Sequence, residues 1–384
     1  MEISMKVLLI NPWAVNNDQY YSSGFVKGMN EYVVLDFAAN YFYEGEMPNG
    51  EFFPVFFSKS EHMENNFKRK ILRGLEYINA WKKIIAISKK KKYDVIHVHW
   101  LLVYKLDLIF LKKIRHYTKR LVLTAHNVLP HNNGEKFLSD LRKIYKCFDK
   151  ILVHGNAIRD EFLLYFPEMS EKVFVQYHGE YYQQDTHYEE VEQKDYLEIK
   201  AFINEYERVF IMFGRQFYNK GTDRLIRIWR ENFSNEKAGL LIVGRSDSDY
   251  PEFKYEISNL NSIKNVLVLN HYIDDNTLNY AICGSSIIIL PYRHASMSGV
   301  IYTAAAFSKP VLCTCSGALA EYLEDKEDSI ICGTDDKELL EAMNAVFEYS
   351  TDELCAMGKN LSKNIHEKYA WSVVAKQLVE DIYS

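Results

Sequence analysis

Residues 209–223 read VFIMFGRQFYNKGTD, and this stretch decides the fold class of the chain. Its first five residues form an apolar run of strand length, Gly214 ends that run, and Gly221 stands just before a segment with helical spacing. Short, continuous apolar strands that alternate with helices are typical of a parallel sheet whose two faces are both covered. The stretch therefore predicts one strand–loop–helix unit of an α/β protein.

The same unit recurs along the whole chain. Apolar runs of strand length occur at Val7–Asn11, Val33–Phe37, Val95–Val98, Leu121–Ala125, Ile151–His154 and Val173–Tyr177, and again at Val209–Phe213, Leu240–Val243, Val266–Leu269, Ile287–Leu290, Val311–Thr314 and Ser329–Cys332. With 384 residues the chain exceeds what one hydrophobic core usually organises. We therefore expect two Rossmann-like, doubly wound parallel-sheet domains that face each other across a cleft, with ligands at the carboxyl ends of the strands.

The predicted domain boundaries follow from this repeat. An N-terminal domain spans residues 1–179, and a C-terminal domain spans residues 207–368. The polar, Tyr-rich and Glu-rich segment 180–206 is expected to connect them. Residues 369–384 include an amphipathic stretch, and we expect this last segment to pack back onto the first domain.

Composition places the chain among ordinary globular proteins, with 48% hydrophobic and 26% charged residues. No apolar stretch reaches the roughly 18 residues that cross a bilayer, and the N-terminus has no signal-peptide pattern, so we expect a cytoplasmic protein. The six cysteines are scattered without a CxxC pair, which predicts free thiols. No nucleic-acid partner is expected.

The charge is unevenly distributed. Residues 1–178 hold 26 basic and 19 acidic residues, although the whole chain has a net charge of −6. Ten of those basic residues lie in the segment 67–92, with Glu76 as its one acid and apolar residues interleaved at helical spacing. Such a helix can bind an anionic membrane surface, here the inner face of the cell membrane. The alternative is a solvated helix that packs its apolar stripe on its own domain.

The loop after Val209–Phe213 has the chemistry of a diphosphate site. Arg215 follows the glycine that ends the strand, and Lys220 stands five residues later, just ahead of the next helix. A departing diphosphate needs fixed cations; arginine can bind it in a bidentate manner and lysine acts as a point charge. In the turn after Ile287–Leu290, free backbone N–H groups at residues 298–301 also suit a phosphate.

Histidines mark strand ends in the first half. His126 and Asn127 directly follow a buried strand, with His131 nearby, and His99 follows another. Imidazole can donate to a sugar hydroxyl or to a reacting oxygen without fixed charge, so these residues are candidates for the site, although a lone histidine is more often structural. No thiolate or carboxylate spacing accompanies them, so no zinc or other metal site is expected.

Two further turns have an ordinary alternative. Ser22, Ser23 and Gly24 precede a predicted helix and form either an anion-binding or sugar-binding turn or a plain N-cap. Asp247 and Asp249 have the DxD spacing of metal-binding glycosyltransferases of another fold class, but they follow a strand of the twice-repeated α/β layout. We interpret them as a solvated loop.

Together these residues resemble the GT-B glycosyltransferases, and within them the retaining glycosyltransferase family 4. The resemblance covers nearly the whole chain and is most specific in the second half, at Gly214-Arg215, Lys220-Gly221, Leu240–Gly244, Leu290-Pro291-Tyr292, Lys309-Pro310-Val311, Thr314, Gly317 and Glu321. In the first half it rests on Val95–His99, Thr124-Ala125-His126-Asn127 and His178-Gly179.

The resemblance implies roles for these positions. Arg215 and Lys220 would hold the donor diphosphate, and His126 would lie beside the transferred sugar. The other donor-binding positions would be Gly214, Tyr272, Ile273, Ser298, Gly299, Val300, Thr303 and Glu321, with the loop at Tyr272 and Ile273 against the base. On the acceptor side we name Ser23, Gly24, His99, Asn127 and His131.

The chain departs from the family pattern at two glutamates, whose positions fall on Ala295 and Thr303. Thr303 can still bond a ribose hydroxyl, whereas the Ala295 side chain can bond nothing. The expected activity is metal-independent transfer of a hexosyl group, with retention, from a UDP-linked or GDP-linked sugar to a glycan or lipid-linked acceptor in surface polysaccharide biosynthesis. The alternatives are a nucleotide-sugar-binding partner subunit with little or no activity and a GT-B nucleotide-sugar epimerase.

Overall fold

The computed structural model describes residues 5–130, 134–180, 185–234, 236–260 and 263–384. They group into two compact units, one of residues 5–180 with 368–384 and one of residues 185–367. Each unit is built on one parallel sheet with helices. The predicted α/β class with two Rossmann-like domains is therefore confirmed.

The strands are named here in chain order. They are β1 (Lys6–Asn11), β2 (Val34–Asn40), β3 (Phe52–Phe56), β4 (Tyr93–Val98), β5 (Thr118–Thr124), β6 (Lys150–Val153), β7 (Val173–Val175), β8 (Arg208–Phe213), β9 (Ala238–Val243), β10 (Val266–Leu269), β11 (Ile287–Leu290), β12 (Val311–Thr314) and β13 (Ser329–Cys332). Each predicted apolar run is a strand. The sequence analysis missed β3, which contains Pro54 and lies at a sheet edge, where a missing N–H is tolerated.

The helices are named in the same way. They are α1 (Asn17–Asn30), α2 (Phe67–Lys91), α3 (Tyr104–Ile114), α4 (Leu138–Tyr145), α5 (Asn156–Tyr165), α6 (Lys194–Glu205), α7 (Thr222–Asn232), α8 (Pro251–Ser258), α9 (Asp275–Gly284), α10 (Val300–Ala306), α11 (Asp336–Val346), α12 (Thr351–Tyr369) and α13 (Trp371–Gln377), which continues as a π-helical turn over Leu378–Tyr383. No helix in the described part of the chain combines the length and apolar character needed to cross a membrane.

The sheet of the first unit has the strand order β3-β2-β1-β4-β5-β6-β7, with neighbouring strands parallel. The order reverses between β1 and β4. The sheet of the second unit has the order β10-β9-β8-β11-β12-β13, again parallel, and reverses between β8 and β11. Ligands of doubly wound sheets bind outside the carboxyl ends of the strands at such switch points. The loops after β1, β4, β8 and β11 therefore lie where a ligand is expected to bind.

Helix α1 corrects one prediction. It begins at Asn17, so Ser22, Ser23 and Gly24 lie in its interior and do not form a helix-start turn. The two serines are buried, and a Cβ on Gly24 would lie 1.8 Å from the indole Nε1 of Trp371. Small residues are needed here because the C-terminal helix α13 packs closely against α1 within the first unit.

The segment predicted as a connection, 180–206, also differs from expectation. Lys194–Glu205, nearly half of it, forms α6, which belongs to the second unit and packs against α9. Tyr196, Ile199 and Phe202 recur every three residues and are buried, so they provide the apolar stripe that the helix needs. The polar composition of the segment hid this stripe.

Candidate functional site

In the second unit the carboxyl ends of β8 and β9 meet at two glycines. Gly214 has a φ of +95° and Gly244 a φ of +129°, and a Cβ on Gly244 would lie 2.1 Å from the carbonyl oxygen of Gly214. Only glycine permits both this backbone conformation and this close approach. The loop that carries Arg215 and Lys220 therefore leaves the sheet edge in a fixed direction.

Lys220 points back to that glycine. A Cβ on Gly214 would lie 3.4 Å from the Lys220 Nζ, and this Nζ lies 5.3 Å from the centre of the Tyr292 ring, just after β11. Within the described residues, the ammonium has no carboxylate partner. The switch point of the second sheet thus holds a cation that forms no ion pair with any described carboxylate.

Arg215 is placed differently. Its side chain is 75% exposed, and its Nε donates to Asp247 Oδ1 at 2.5 Å. Asp247, which was interpreted from the sequence as part of a solvated loop, is therefore the ion-pair partner of the predicted site residue Arg215. An exposed pair of this kind contributes at most about 1 kcal/mol, so an anionic ligand can compete for the guanidinium.

Gln216, which was not predicted as a site residue, fixes the conformation of the loop after β8 from its buried side. This side chain is fully buried; its Nε2 donates to the Gly214 carbonyl at 2.6 Å, and its Oε1 accepts from the Thr222 hydroxyl at 2.6 Å. The amide thereby joins the start of the loop to the start of α7. A polar residue directly after Gly-Arg was the only sequence signal for this role.

Arg293, also missed, ties the two switch-point loops together. Its guanidinium donates to both carboxylate oxygens of Asp223 at 2.7 and 2.8 Å and to the carbonyl of Tyr218, and its backbone N–H donates to the carbonyl of Asn219. Burial raises the pKa of Asp223, but the bonds from Arg293 and Tyr250 outweigh it and lower that pKa below the usual value. The pair holds the loop after β11 against the loop after β8.

The turn that leads into α10 has fewer free donors than predicted. The N–H of Ile301 donates to the Ser298 carbonyl at 3.2 Å, and the N–H of Val300 lies 3.4 Å from Ser298 Oγ. The prediction of free N–H groups throughout residues 298–301 is therefore wrong, because the turn bonds to itself. Ser298 is buried, and its hydroxyl lies 3.2 Å from the Tyr292 hydroxyl; Gly299 precedes the helix.

The remaining positions predicted to bind the donor lie near this turn or in the loops after β10 and β12. Ala295 is buried: a Cβ on Gly317 would lie 1.6 Å from its carbonyl oxygen, and its N–H donates to Ser316 Oγ. Thr303 is buried within α10, and Glu321 lies in the short helical turn after β12. After β10, the Tyr272 side chain is 77% exposed, whereas Ile273 is buried.

In the first unit a histidine follows each of four neighbouring strands. They are His99 after β4, His126 after β5, His154 after β6 and His178 after β7. The Tyr21 ring makes an edge contact with all four, with ring centres 4.5–5.9 Å apart. Burial lowers the pKa of every one of these imidazoles, to about 4 for His154, so the cluster is neutral at physiological pH.

Hydrogen bonds fix the tautomers of two of them. His154 Nδ1 lies 2.9 Å from the carbonyl oxygen of Gln176, which can only accept, so Nδ1 carries the proton. The neutral ring then accepts at Nε2, which lies 3.2 Å from His126 Nδ1. His126 therefore carries its proton on Nδ1, and its Nε2 is a bare acceptor. This nitrogen is enclosed and has no hydrogen-bond partner in the described residues.

The His126 ring is also held in place by stacking. The Trp100 indole stacks on it with ring centres 4.6 Å apart, and the Trp100 Nε1 donates to Asp18 Oδ1 at 3.1 Å. Asp18 further accepts from Asn11 and Ser22, while burial raises its pKa. The sequence analysis missed Asp18 and Trp100, whose roles depend on contacts between distant parts of the chain.

The other first-unit predictions have mixed outcomes. His99 is buried, and neither of its ring nitrogens has a hydrogen-bond partner among the described residues. Asn127 is partly buried beside His126. Ser23 bonds the Tyr43 hydroxyl and the Glu46 N–H inside α1's packing, and His131 lies outside the described residues.

No group of three or more His, Cys, Asp or Glu side chains in the described ranges is arranged to hold a metal ion. The six cysteines are free thiols. His97, one residue before the end of β4, is a structural side chain. It is buried between the Tyr383 hydroxyl at 2.6 Å and the Thr124 hydroxyl at 2.8 Å, and burial lowers its pKa to about 3.

Comparison with known proteins identifies the family. Residues 207–348 match the family described as glycosyl transferases group 1, and residues 56–179 match glycosyltransferase family 4. The chain belongs to the GT-B glycosyltransferases. The match over residues 207–348 contains both strands of the second switch point of this glycosyltransferase, β8 and β11, and the match over residues 56–179 contains β4 of the first. It is also 22% identical, over 77% of each chain, to an uncharacterized glycosyltransferase of Methanocaldococcus jannaschii.

Solved structures share the fold of this glycosyltransferase. HepE of Anabaena in complex with UDP superimposes with a TM-score of 0.67 at 16% identity, covering 98% of this chain and 99% of HepE. Sucrose-phosphate synthase of Thermosynechococcus elongatus gives a TM-score of 0.70 at 15% identity, covering 98% of both chains. At such identities the likeness concerns the fold; the substrates have to be argued from the site.

Proposed function

We propose that this glycosyltransferase transfers a hexosyl group, with retention, from a UDP-linked or GDP-linked sugar to a glycan or lipid-linked acceptor in surface polysaccharide biosynthesis. The observation that carries the proposal is the uncompensated Lys220 ammonium beside Gly214, at the switch point of the second sheet. A cation held without a carboxylate partner at a ligand-binding edge favours an anionic ligand.

The ligand that suits this edge is a nucleoside diphosphate. Lys220 would bind one phosphate as a point charge, and Arg215 would exchange Asp247 for the other. The backbone at Gly214 can approach the phosphates closely because it has no side chain. HepE, which shares the fold, was solved with UDP and with UDP and glucose. Because the two side chains supply the cations, we propose metal-independent transfer.

Bond making and breaking follow from this arrangement. The bond from the anomeric carbon to the diphosphate oxygen breaks while the bond to the acceptor oxygen forms on the same face, which retains the configuration. The acceptor's proton passes to the leaving phosphate oxygen. Arg215 and Lys220 stabilise the negative charge that develops there, and losing one such group typically costs roughly 3–4 kcal/mol.

His126 contributes a hydrogen-bond acceptor in this proposal. Its bare Nε2 has no hydrogen-bond partner in the ranges that the structure describes, and an unmet buried acceptor costs about 1–3 kcal/mol. A sugar hydroxyl that donates to this nitrogen would remove that cost, once a neighbouring side chain has moved aside to expose the enclosed atom. The sequence suggested that the imidazole donates; the bonds of His154 to Gln176 and to His126 instead leave His126 Nε2 as an acceptor.

The test compares single-site variants with a matched control. We expect Arg215→Ala and Lys220→Ala to lower turnover by two or more orders of magnitude while the melting temperature is unchanged. The control is Lys264→Ala, which removes an exposed lysine just before β10. This residue lies at the amino end of its strand, whereas the site lies at the carboxyl ends, so turnover should be unaltered. Near-normal rates in both site variants would refute the proposal.

One observation favours a second candidate, a nucleotide-sugar-binding subunit without activity of its own. Ala295 stands where the family pattern has a glutamate, so that position offers no carboxylate to the donor sugar. Such a subunit would bind the donor but neither hydrolyse nor transfer it with any acceptor. Incubation with the donor alone distinguishes the third candidate, an epimerase, because an epimerase would interconvert nucleotide sugars without an acceptor.

A further inference from the structure

Helix α2 leaves large apolar side chains in solvent. Phe67, Ile71 and Leu75 recur every four residues at its N-terminal end and are 76%, 51% and 54% exposed. The opposite face of the same helix is buried on its own unit through Tyr77, Ala80, Trp81 and Ile84. The helix therefore packs one apolar stripe on its domain, as one reading of the sequence required, and presents a second one outward.

The outward face of α2 is also basic. Lys68, Lys82 and Lys89 lie on the same side of the helix as Ile71 and Leu75, because these positions are three, four or seven residues apart. Further exposed lysines are Lys70, Lys83 and Lys90. None of the six forms an ion pair within the described part of the chain.

Three other cations of the segment 67–92 are used internally. Lys91 pairs with Asp36 at 2.6 Å and with Glu51 at 2.8 Å. Arg69 donates to the Ser60 carbonyl, and Arg73 lies over the Phe57 ring and pairs with Glu61. Their side chains are thereby turned toward the protein, so the outward charge comes from the lysines alone.

Helix α3 extends the same surface. The crossovers β3-α2-β4 and β4-α3-β5 are both expected to be right-handed, which puts the two helices on one face of the sheet. Their inner sides meet where Trp81 stacks on Phe110. The outer side of α3 presents Ile109, 50% exposed, among exposed Lys105, Lys112 and Lys113.

Neither α2 nor α3 carries a free carboxylate on its outer side. The only acids on the two helices are Glu76 and Asp107. Glu76 accepts from the backbone N–H groups of Lys59 and Ser60, and Asp107 is buried, accepting from the Tyr77 hydroxyl. A surface of lysines and exposed aliphatic and aromatic side chains without acids is complementary to anionic headgroups over an apolar interior.

We infer that the outer face of α2 and α3 docks on an anionic lipid bilayer, with the lysines at the headgroups and Phe67, Ile71 and Leu75 inserted among the acyl chains. The inference does not depend on the nucleotide-sugar site, which belongs to the other unit. A lipid-linked acceptor would be reached from this position, and this deepens the proposed function without being required by it.

The test is co-sedimentation of the full chain with vesicles of phosphatidylcholine, alone or mixed with phosphatidylglycerol. We expect binding to the mixed vesicles only, and weaker binding as salt rises. Each outward lysine removed should lower the partition about five-fold, so Lys82→Gln with Lys89→Gln should lower it about 25-fold. Replacing Phe67, Ile71 and Leu75 by serine should abolish it.

The control is Lys264→Gln with Lys359→Gln, which makes the same change in net charge on exposed lysines of the second unit. These variants should bind vesicles as the unaltered chain does, and all variants should keep donor turnover in solution. Equal loss in the control pair, equal binding to uncharged vesicles, or unaltered binding after the triple serine change would overturn the inference. Binding to an acidic protein but not to vesicles would do the same.

Discussion

The hydrogen-bond relay from Gln176 through His154 to His126 makes a prediction that separates function from packing. In His154→Leu, the His126 Nδ1–H loses its acceptor, which lies 3.2 Å away in the unaltered chain. An unmet buried donor costs about 1–3 kcal/mol, and the ring can avoid this cost by moving its proton to Nε2. The acceptor that we assign to the sugar hydroxyl would then become a donor.

The expected size of the effect follows from that cost. A bias of 1–3 kcal/mol corresponds to roughly a 5-fold to 150-fold fall in turnover for His154→Leu. His154→Gln should restore most of the rate, because its amide can donate to the Gln176 carbonyl and accept from His126.

The assay combines turnover with the ¹⁵N NMR spectrum of histidine-labelled protein. The unaltered chain and His154→Gln should show His126 protonated at Nδ1, and His154→Leu should show it protonated at Nε2. The reasoning is refuted if the unaltered chain carries the proton on Nε2, or if His154→Gln is as slow as His154→Leu while both variants fold.

Three further predictions concern the loops and the histidine cluster. Asp247→Asn releases Arg215 from an exposed ion pair worth at most about 1 kcal/mol, so the KM for the donor should fall up to about five-fold; a higher KM would contradict this. Burial lowers the pKa of His97 to about 3 and of His154 to about 4, so the unfolded state takes up more protons below pH 6.5. Stability should therefore be complete above that pH and fall below it, by roughly 2 kcal/mol for each of these two groups at pH 5; a melting temperature that stays constant from pH 7 to 5 would exclude it. Gly221→Ala places a Cβ about 2.1 Å from a carbonyl oxygen of the loop after β11, at a φ of +70°, so calorimetry should record a loss of about 2 kcal/mol or more, and an unchanged melting temperature would count against it.

The fold could be predicted from the sequence where the signal is local. Continuous apolar runs such as Ile287–Leu290 can hardly be anything but buried strands, and their alternation with helices dictates parallel sheets. Gly214 could be predicted to mark the end of β8, and with it the loop of the candidate site, because this signal is also local. Local signals failed at Ser22–Gly24, where small residues suggested a helix start, yet they serve a packing contact with Trp371, far along the chain.

The candidate site could be predicted only in part. Arg215 and Lys220 are adjacent in sequence to the strand that positions them, so a pattern suffices to find them. The ion pairs around them are formed by residues far apart in sequence. Asp247 reaches Arg215 from the loop after β9, and Arg293 reaches Asp223, at the start of α7, from the loop after β11. Side-chain pairing between loops depends on the sheet order, which no short motif encodes.

The central claim is that Lys220 and Arg215 bind the diphosphate and nothing else of the donor. Isothermal titration of UDP and GDP, and of uridine and guanosine, into the unaltered chain and into Lys220→Ala tests it most directly. We predict that the variant binds the preferred diphosphate about 10-fold to 150-fold more weakly and binds the matching nucleoside equally well, since a hydrogen bond to a charged group contributes about 1.5–3 kcal/mol. Equal losses for nucleotide and nucleoside, or no loss for either, would contradict the account.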